Sequence, residues 1–143
     1  MMGGQGNLAC VKRALELDMG VFQISPFDKG GKLYRPSKDC AISVGTELSP
    51  MAFAALYAWK KVGIHTSSLG ISRPSDLDEV MSAARTLALG HKGGKDVDTL
   101  LDETLARIEA DNARRQEENR GKEEDIRALN QKTKALENFL KKK

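Results

Sequence analysis

Only two stretches of this 143-residue chain have the composition of a buried strand, and a helix separates them. The first is Gly20-Val21-Phe22-Gln23-Ile24-Ser25-Pro26-Phe27, where Pro26 ends the strand because proline cannot donate to a sheet ladder. The second is Val62 to Thr66. Between them Ser49 is placed as a helix cap and Pro50 at the first helical position, ahead of Met51, Phe53, Ala54, Ala55, Leu56, Ala58 and Trp59. Strands joined by a crossover helix are expected to run parallel. Two parallel strands alone leave apolar edges unpaired on both sides. The segment therefore wants more strands than the chain supplies.

The remaining elements follow from periodicity and capping. Leu8, Val11, Ala14 and Leu15 predict a helix over 8–18, with Asn7 as cap and Gly20 as its left-handed terminator. Asp28 to Thr46 reads as a long loop, and loops of that length are usually functional or disordered. A turn at Ser67-Ser68-Leu69-Gly70 leads to a third helix, which begins near Ser72-Arg73-Pro74-Ser75-Asp76 and ends at Gly90.

Gly93 and Gly94 read as a hinge before a long charged helix. Its heptad-like track runs Leu101, Leu105, Ile108, then polar Asn112, Arg115, Asn119 and Lys122, then Ile126, Leu129, Thr133, Leu136 and Leu140. The polar centre and Gly121 favour a solvated, partly frayed helix over a firm coiled coil. The resulting division is a flexible start over 1–6, an α/β segment over 7–92 and a helical tail over 93–143.

Composition removes several function classes. A formal charge of +3, with acids and bases interspersed, leaves no nucleic-acid footprint. Cys10 and Cys40 form neither a disulfide framework nor a zinc motif, and Cys10 reads as a small buried hydrophobe. No apolar run suits a membrane span and the start does not read as a signal peptide, so a cytoplasmic protein with reduced thiols is expected. Met1 to Asn7 reads like an entry in mid-protein.

From Met19 to Tyr34, with Ser25-Pro26-Phe27-Asp28-Lys29-Gly30-Gly31-Lys32-Leu33-Tyr34 at its centre, the chain resembles the aldo/keto reductase family. The form is closest to a subgroup of oxidoreductases assigned from sequence. Two further segments agree in order: Leu48 to Leu56, and Ile64 to Glu79 with Gly70-Ile71-Ser72-Arg73-Pro74-Ser75-Asp76-Leu77-Asp78-Glu79. The likeness covers roughly residues 7 to 90, and three ordered segments carry it. It implies the last two strands of a (β/α)8 TIM barrel, a small carbonyl substrate and an NADP(H) cofactor. The family's catalytic Asp, Tyr, Lys and His belong to earlier strands and nothing here matches them. Tyr34, Lys29 and His65 are not assigned those roles.

By the same resemblance Ser25 and Phe27 meet the cofactor pyrophosphate, and Gly30 and Gly31 let the loop backbone approach it. Gly70, Ser72, Asp76 and Glu79 grip the adenosine end. Many members carry Arg or Lys where Ser72 stands and Gln where Asp76 stands. Arg73, one place along, offers a bidentate contact to a 2′-phosphate, and NAD(H) stays open as the alternative cofactor.

Blander readings stand beside these. Gly30-Gly31-Lys32 is either a cofactor clamp or a solvated linker, and it lacks the remaining residues of a phosphate-binding P-loop. Ser72 or Ser75 serves as a helix cap, with or without cofactor contact. His65 is structural or faces a barrel interior rather than a metal, while Tyr57 and Trp59 are packing residues. The functional alternative to a reductase fragment is a non-catalytic interaction protein that pairs, with a partner or with itself, along the C-terminal seam.

Overall fold

In a computed structural model, residues 5–27, 32–71 and 73–140 are described. The order is α1 (Gln5–Glu16), β1 (Phe22–Ile24), α2 (Lys38–Val44), α3 (Pro50–Tyr57), β2 (Thr66–Ser68), α4 (Ser75–Leu89), a hairpin of β3 (His91–Lys92) and β4 (Lys95–Asp96), and α5 (Val97–Leu140). It is a mainly helical α/β arrangement with two small sheets and a long C-terminal helix. No barrel is formed by the described residues. The first compact unit extends through Arg107 and the second begins at Ile108.

β1 and β2 are parallel, with Phe22 opposite Thr66, Gln23 opposite Ser67 and Ile24 opposite Ser68. The second strand starts later than its apolar residues suggested. Ala58–Val62 continues α3 as a π turn, which Gly63 ends in the left-handed region at φ 85°. Ile64 N–H then donates to the Ala58 carbonyl at 3.0 Å, so Val62 is used up in the turn and the ladder begins at Thr66. Ser67 and Ser68, expected in a turn, are strand residues.

β1 is not the buried strand its composition suggested. Phe22 is 56% and Ile24 71% exposed, while Gln23 points to the covered side. There Ser67 Oγ donates to Gln23 Oε1 at 3.3 Å and accepts from the Trp59 indole N–H at 3.0 Å. Polar residues hold the covered face and apolar ones lie on the open face, the reverse of the usual pattern for a half-buried strand.

The core is built from helices. α3 buries Met51, Ala52, Ala55 and Leu56, and α4 buries Val80, Ala83 and Thr86. The first turns of α5 add Val97, Leu100, Leu101 and Thr104, a helical i, i+3, i+4, i+7 stripe. Ser49 caps α3 as its Ser-Pro sequence suggested, its Oγ accepting from Ala52 N–H at 3.1 Å.

Other local expectations change. α1 starts before Asn7, and Asp18 rather than Gly20 takes the left-handed position beyond its end, at φ 56°. Aspartate tolerates that conformation better than most side chains. Cys10 is exposed because α1 covers little of the core. The supposed long loop contains a 3₁₀ turn at Lys32–Tyr34 and α2, which Ser37 caps by accepting from Cys40 N–H at 3.1 Å.

Gly93 and Gly94 form the tip of the β3–β4 hairpin rather than a hinge. Both have positive φ, 58° and 81°, as a two-residue type I′ turn needs. Asp96 then caps α5, its carboxylate accepting from Thr99 N–H at 3.0 Å.

In the second unit α5 is helical to Leu140 and passes through Gly121 without a break. Its surface pairs include Arg120 with Glu117 at 2.6 Å and Arg127 with Glu123 at 3.9 Å. Such pairs contribute only a few tenths of a kcal/mol each, about 0.2–0.5. Ile126 and Leu129, on the seam, are 57% and 64% exposed.

One core group is poorly matched. The Thr104 hydroxyl is fully buried and has no hydrogen-bond partner. Replacing it with the isosteric methyl in Thr104→Val should remove a desolvation cost and stabilise the chain by about 1 kcal/mol. Urea denaturation would measure it; a loss of stability would mean that the hydroxyl is satisfied in solution.

Candidate functional site

The carboxyl ends of β1 and β2 lie side by side because the strands are parallel and in register. In open α/β sheets this is the end where ligands sit. Beyond β1 the chain turns at Ser25-Pro26-Phe27, and beyond β2 it passes Leu69-Gly70-Ile71 to reach the start of α4. Ser25 extends the ladder, its N–H donating to the Ser68 carbonyl at 3.1 Å, and its backbone is left-handed at φ 53°. That N–H is therefore engaged within the sheet.

Phe27 is 3% exposed and packs edge-on against Tyr34, with ring centroids 6.2 Å apart. Its ring supports the loop rather than presenting a surface. Tyr34 was not among the residues the sequence singled out for binding, yet it ties the two strand-end loops together. Its hydroxyl donates to the Gly70 carbonyl across 36 residues of sequence. The nearby Ser-Pro-Phe and Gly70 segments were recognisable in sequence, but the bridge between them was not. A tyrosine in a Gly-rich loop gives no local signal of its long-range acceptor.

At the start of α4 Ser75 is not the cap, and Ser72, the other candidate, lies outside the described residues. Pro74 stands in the cap position with helical backbone and no side-chain cap. Instead the Asp76 carboxylate reaches back: Oδ2 accepts from Arg73 N–H at 3.0 Å, and Oδ1 accepts from Arg73 Nε at 3.1 Å and Nη2 at 2.8 Å. The Asp76 side chain is only 4% exposed, whereas that of Arg73 is 54% exposed. Glu79, one turn further along, accepts from the Ser49 hydroxyl and so links α4 to the cap of α3. Gly30, Gly31 and Ser72 lie outside the described residues, as does Lys29.

The residues assigned by resemblance thus divide by position. Ser25, Phe27, Gly70, Arg73 and Asp76 belong to the loops and helix start beyond the carboxyl ends of the strands. Glu79 belongs to the α3–α4 contact. His65 precedes β2, where its Nδ1 accepts from Val21 N–H at 3.0 Å, a structural role at the opposite end of the strands. Beside it Trp59, Thr66, Ser67, Ala84 and Leu87 line an open groove.

The chain has no match among protein-family models, curated proteins or solved structures.

The donor set at the strand ends suits an anionic ligand only in part: a serine hydroxyl and the first turn of a helix are there, but the exposed Arg73 guanidinium is paired with Asp76. Tyr34 is held in its neutral form, its pKa raised first by burial and then by the Asp76 carboxylate. A phenol whose folded-state pKa lies above the unfolded value stabilises the fold below that unfolded value, about 10. That contribution disappears as pH rises through the folded value. Stability should fall above pH ~10 in the wild-type chain, and more shallowly in Tyr34→Phe. Denaturation midpoints across alkaline pH would measure this, and equal slopes would show that Tyr34 ionises without strain.

Proposed function

We propose that this chain supplies the pyrophosphate- and adenosine-holding end of a nicotinamide dinucleotide site in an aldo/keto reductase of the (β/α)8 kind. In that reading β1 and β2 are the last two barrel strands. The observation that carries it is the parallel, in-register pairing of β1 with β2, which brings Ser25-Pro26-Phe27, Gly70-Ile71 and the start of α4 at Arg73 to Asp76 to one end of the sheet. The order and spacing of these segments along the chain support the same reading. So does the open face of Phe22 and Ile24, which suits a sheet that other strands complete.

Within such a site each residue has a limited task. The Ser25 hydroxyl donates to a phosphate oxygen beyond β1. Tyr34 holds the β1 loop against the Gly70 carbonyl and so sets the spacing between the two loops. The first turn of α4 directs its N–H groups toward negative charge. The bound nicotinamide would supply the hydride for carbonyl reduction. The proton donor and substrate pocket would come from strands other than these, so the chain alone is expected to show no turnover.

A second reading, a non-catalytic protein that pairs along α5, is favoured by the exposure of Ile126 and Leu129 on one seam.

A titration of the purified chain with NADPH and with NADH, followed by calorimetry, separates the two readings. Saturable binding of either cofactor is the expected result. A chain with native helicity that binds neither would remove the cofactor reading and leave the interaction reading in its place.

A further inference from the structure

Resting on the cofactor reading, we infer that the Arg73–Asp76 pair makes this site indifferent to a 2′-phosphate, so that it takes NADH about as well as NADPH. By the family resemblance Arg73 is the cation nearest the position that would meet that phosphate. In the structure the Nε–Nη2 edge of its guanidinium is already paired with Asp76, although the side chain stays 54% exposed. Nε and Nη2 both donate to Asp76 Oδ1, while its own backbone N–H donates to Oδ2. One of its two donor forks is therefore turned onto a carboxylate of the same chain, and the other is left beside that negative charge.

The pairing is costly to undo. Asp76 is almost completely buried at the start of α4, and a buried carboxylate that loses its cation keeps its desolvation cost without the compensating attraction. A 2′-phosphate approaching the outer edge of Arg73 would also meet the Asp76 charge behind it, which offsets the attraction of the guanidinium. Arg73 and Asp76 together present a nearly neutral dipole rather than a free positive charge. The carboxylate secures the N-terminus of α4, and in doing so it removes the residue that would have selected NADPH.

The test compares dissociation constants of the intact chain for NADH and NADPH, measured by calorimetry in the same buffer. The expected wild-type values lie within about threefold of each other. Asp76→Asn keeps a side chain of the same size and releases the guanidinium. It should shift the ratio toward NADPH by about tenfold, and the double variant with Arg73→Ala should abolish that shift. Circular dichroism checks that Asp76→Asn retains its helices; if it does not, the wild-type ratio decides alone. A wild-type preference for NADPH of about tenfold or more would overturn the inference while leaving the cofactor reading in place. Binding of neither cofactor by the folded chain would overturn both.

Discussion

The contact of α3 with α4 carries the first compact unit. Ala52 and Ala55 on one helix and Ala83 on the other are nearly inaccessible to solvent. Side chains this small let helix backbones approach closely, while Leu56 and Val80 supply the larger apolar area. The start of α5 adds Leu100 and Leu101 to the same core. The sheet could not do this work, because three residues in each of two strands bury too little.

Given that helical core, the sheet is held from one side only. The Trp59–Ser67–Gln23 chain of hydrogen bonds attaches it to the π turn that follows α3. A polar link of this kind fixes register more than it adds stability, since each neutral hydrogen bond contributes only about 1 kcal/mol net. The opposite face, with Phe22 and Ile24, stays open to solvent. Where sheet and helices meet, the strand ends and the start of α4 are brought together, and Tyr34 bridges their loops. The candidate site is thus a by-product of packing between elements far apart in sequence.

Much of this was legible locally. Ser49-Pro50 marked a helix start because a serine cap and a proline at the first helical position act within one turn. Gly90 marked a helix end for a similarly local reason, its backbone being left-handed at φ 76°. The parallel direction of β1 and β2 followed from the helix between them. Where local signals competed, reading them one at a time failed. Val62 looked like a strand residue but was absorbed by a π turn, and Gly93-Gly94 looked like a hinge but closes a hairpin. Ser75 was offered as a cap, but Pro74 stands at the cap position without a side-chain bond, and the Asp76 carboxylate reaches back to the Arg73 N–H instead.

Local sequence was enough to give the order of the principal helices and of β1 and β2, the helix start at Ser49, the helix end at Gly90, and the end of the sheet at which the marked residues gather. These depend on backbone preferences and capping within a few residues. Tertiary structure alone decided which strand face is covered, where β2 begins, and that Arg73 is bound to a buried carboxylate. Each of those depends on what approaches from elsewhere in the chain: Trp59 toward Ser67, Ala58 toward Ile64, and the packed start of α4 around Asp76. Burial and partner choice are properties of the assembled core, and a string of residues carries them only implicitly.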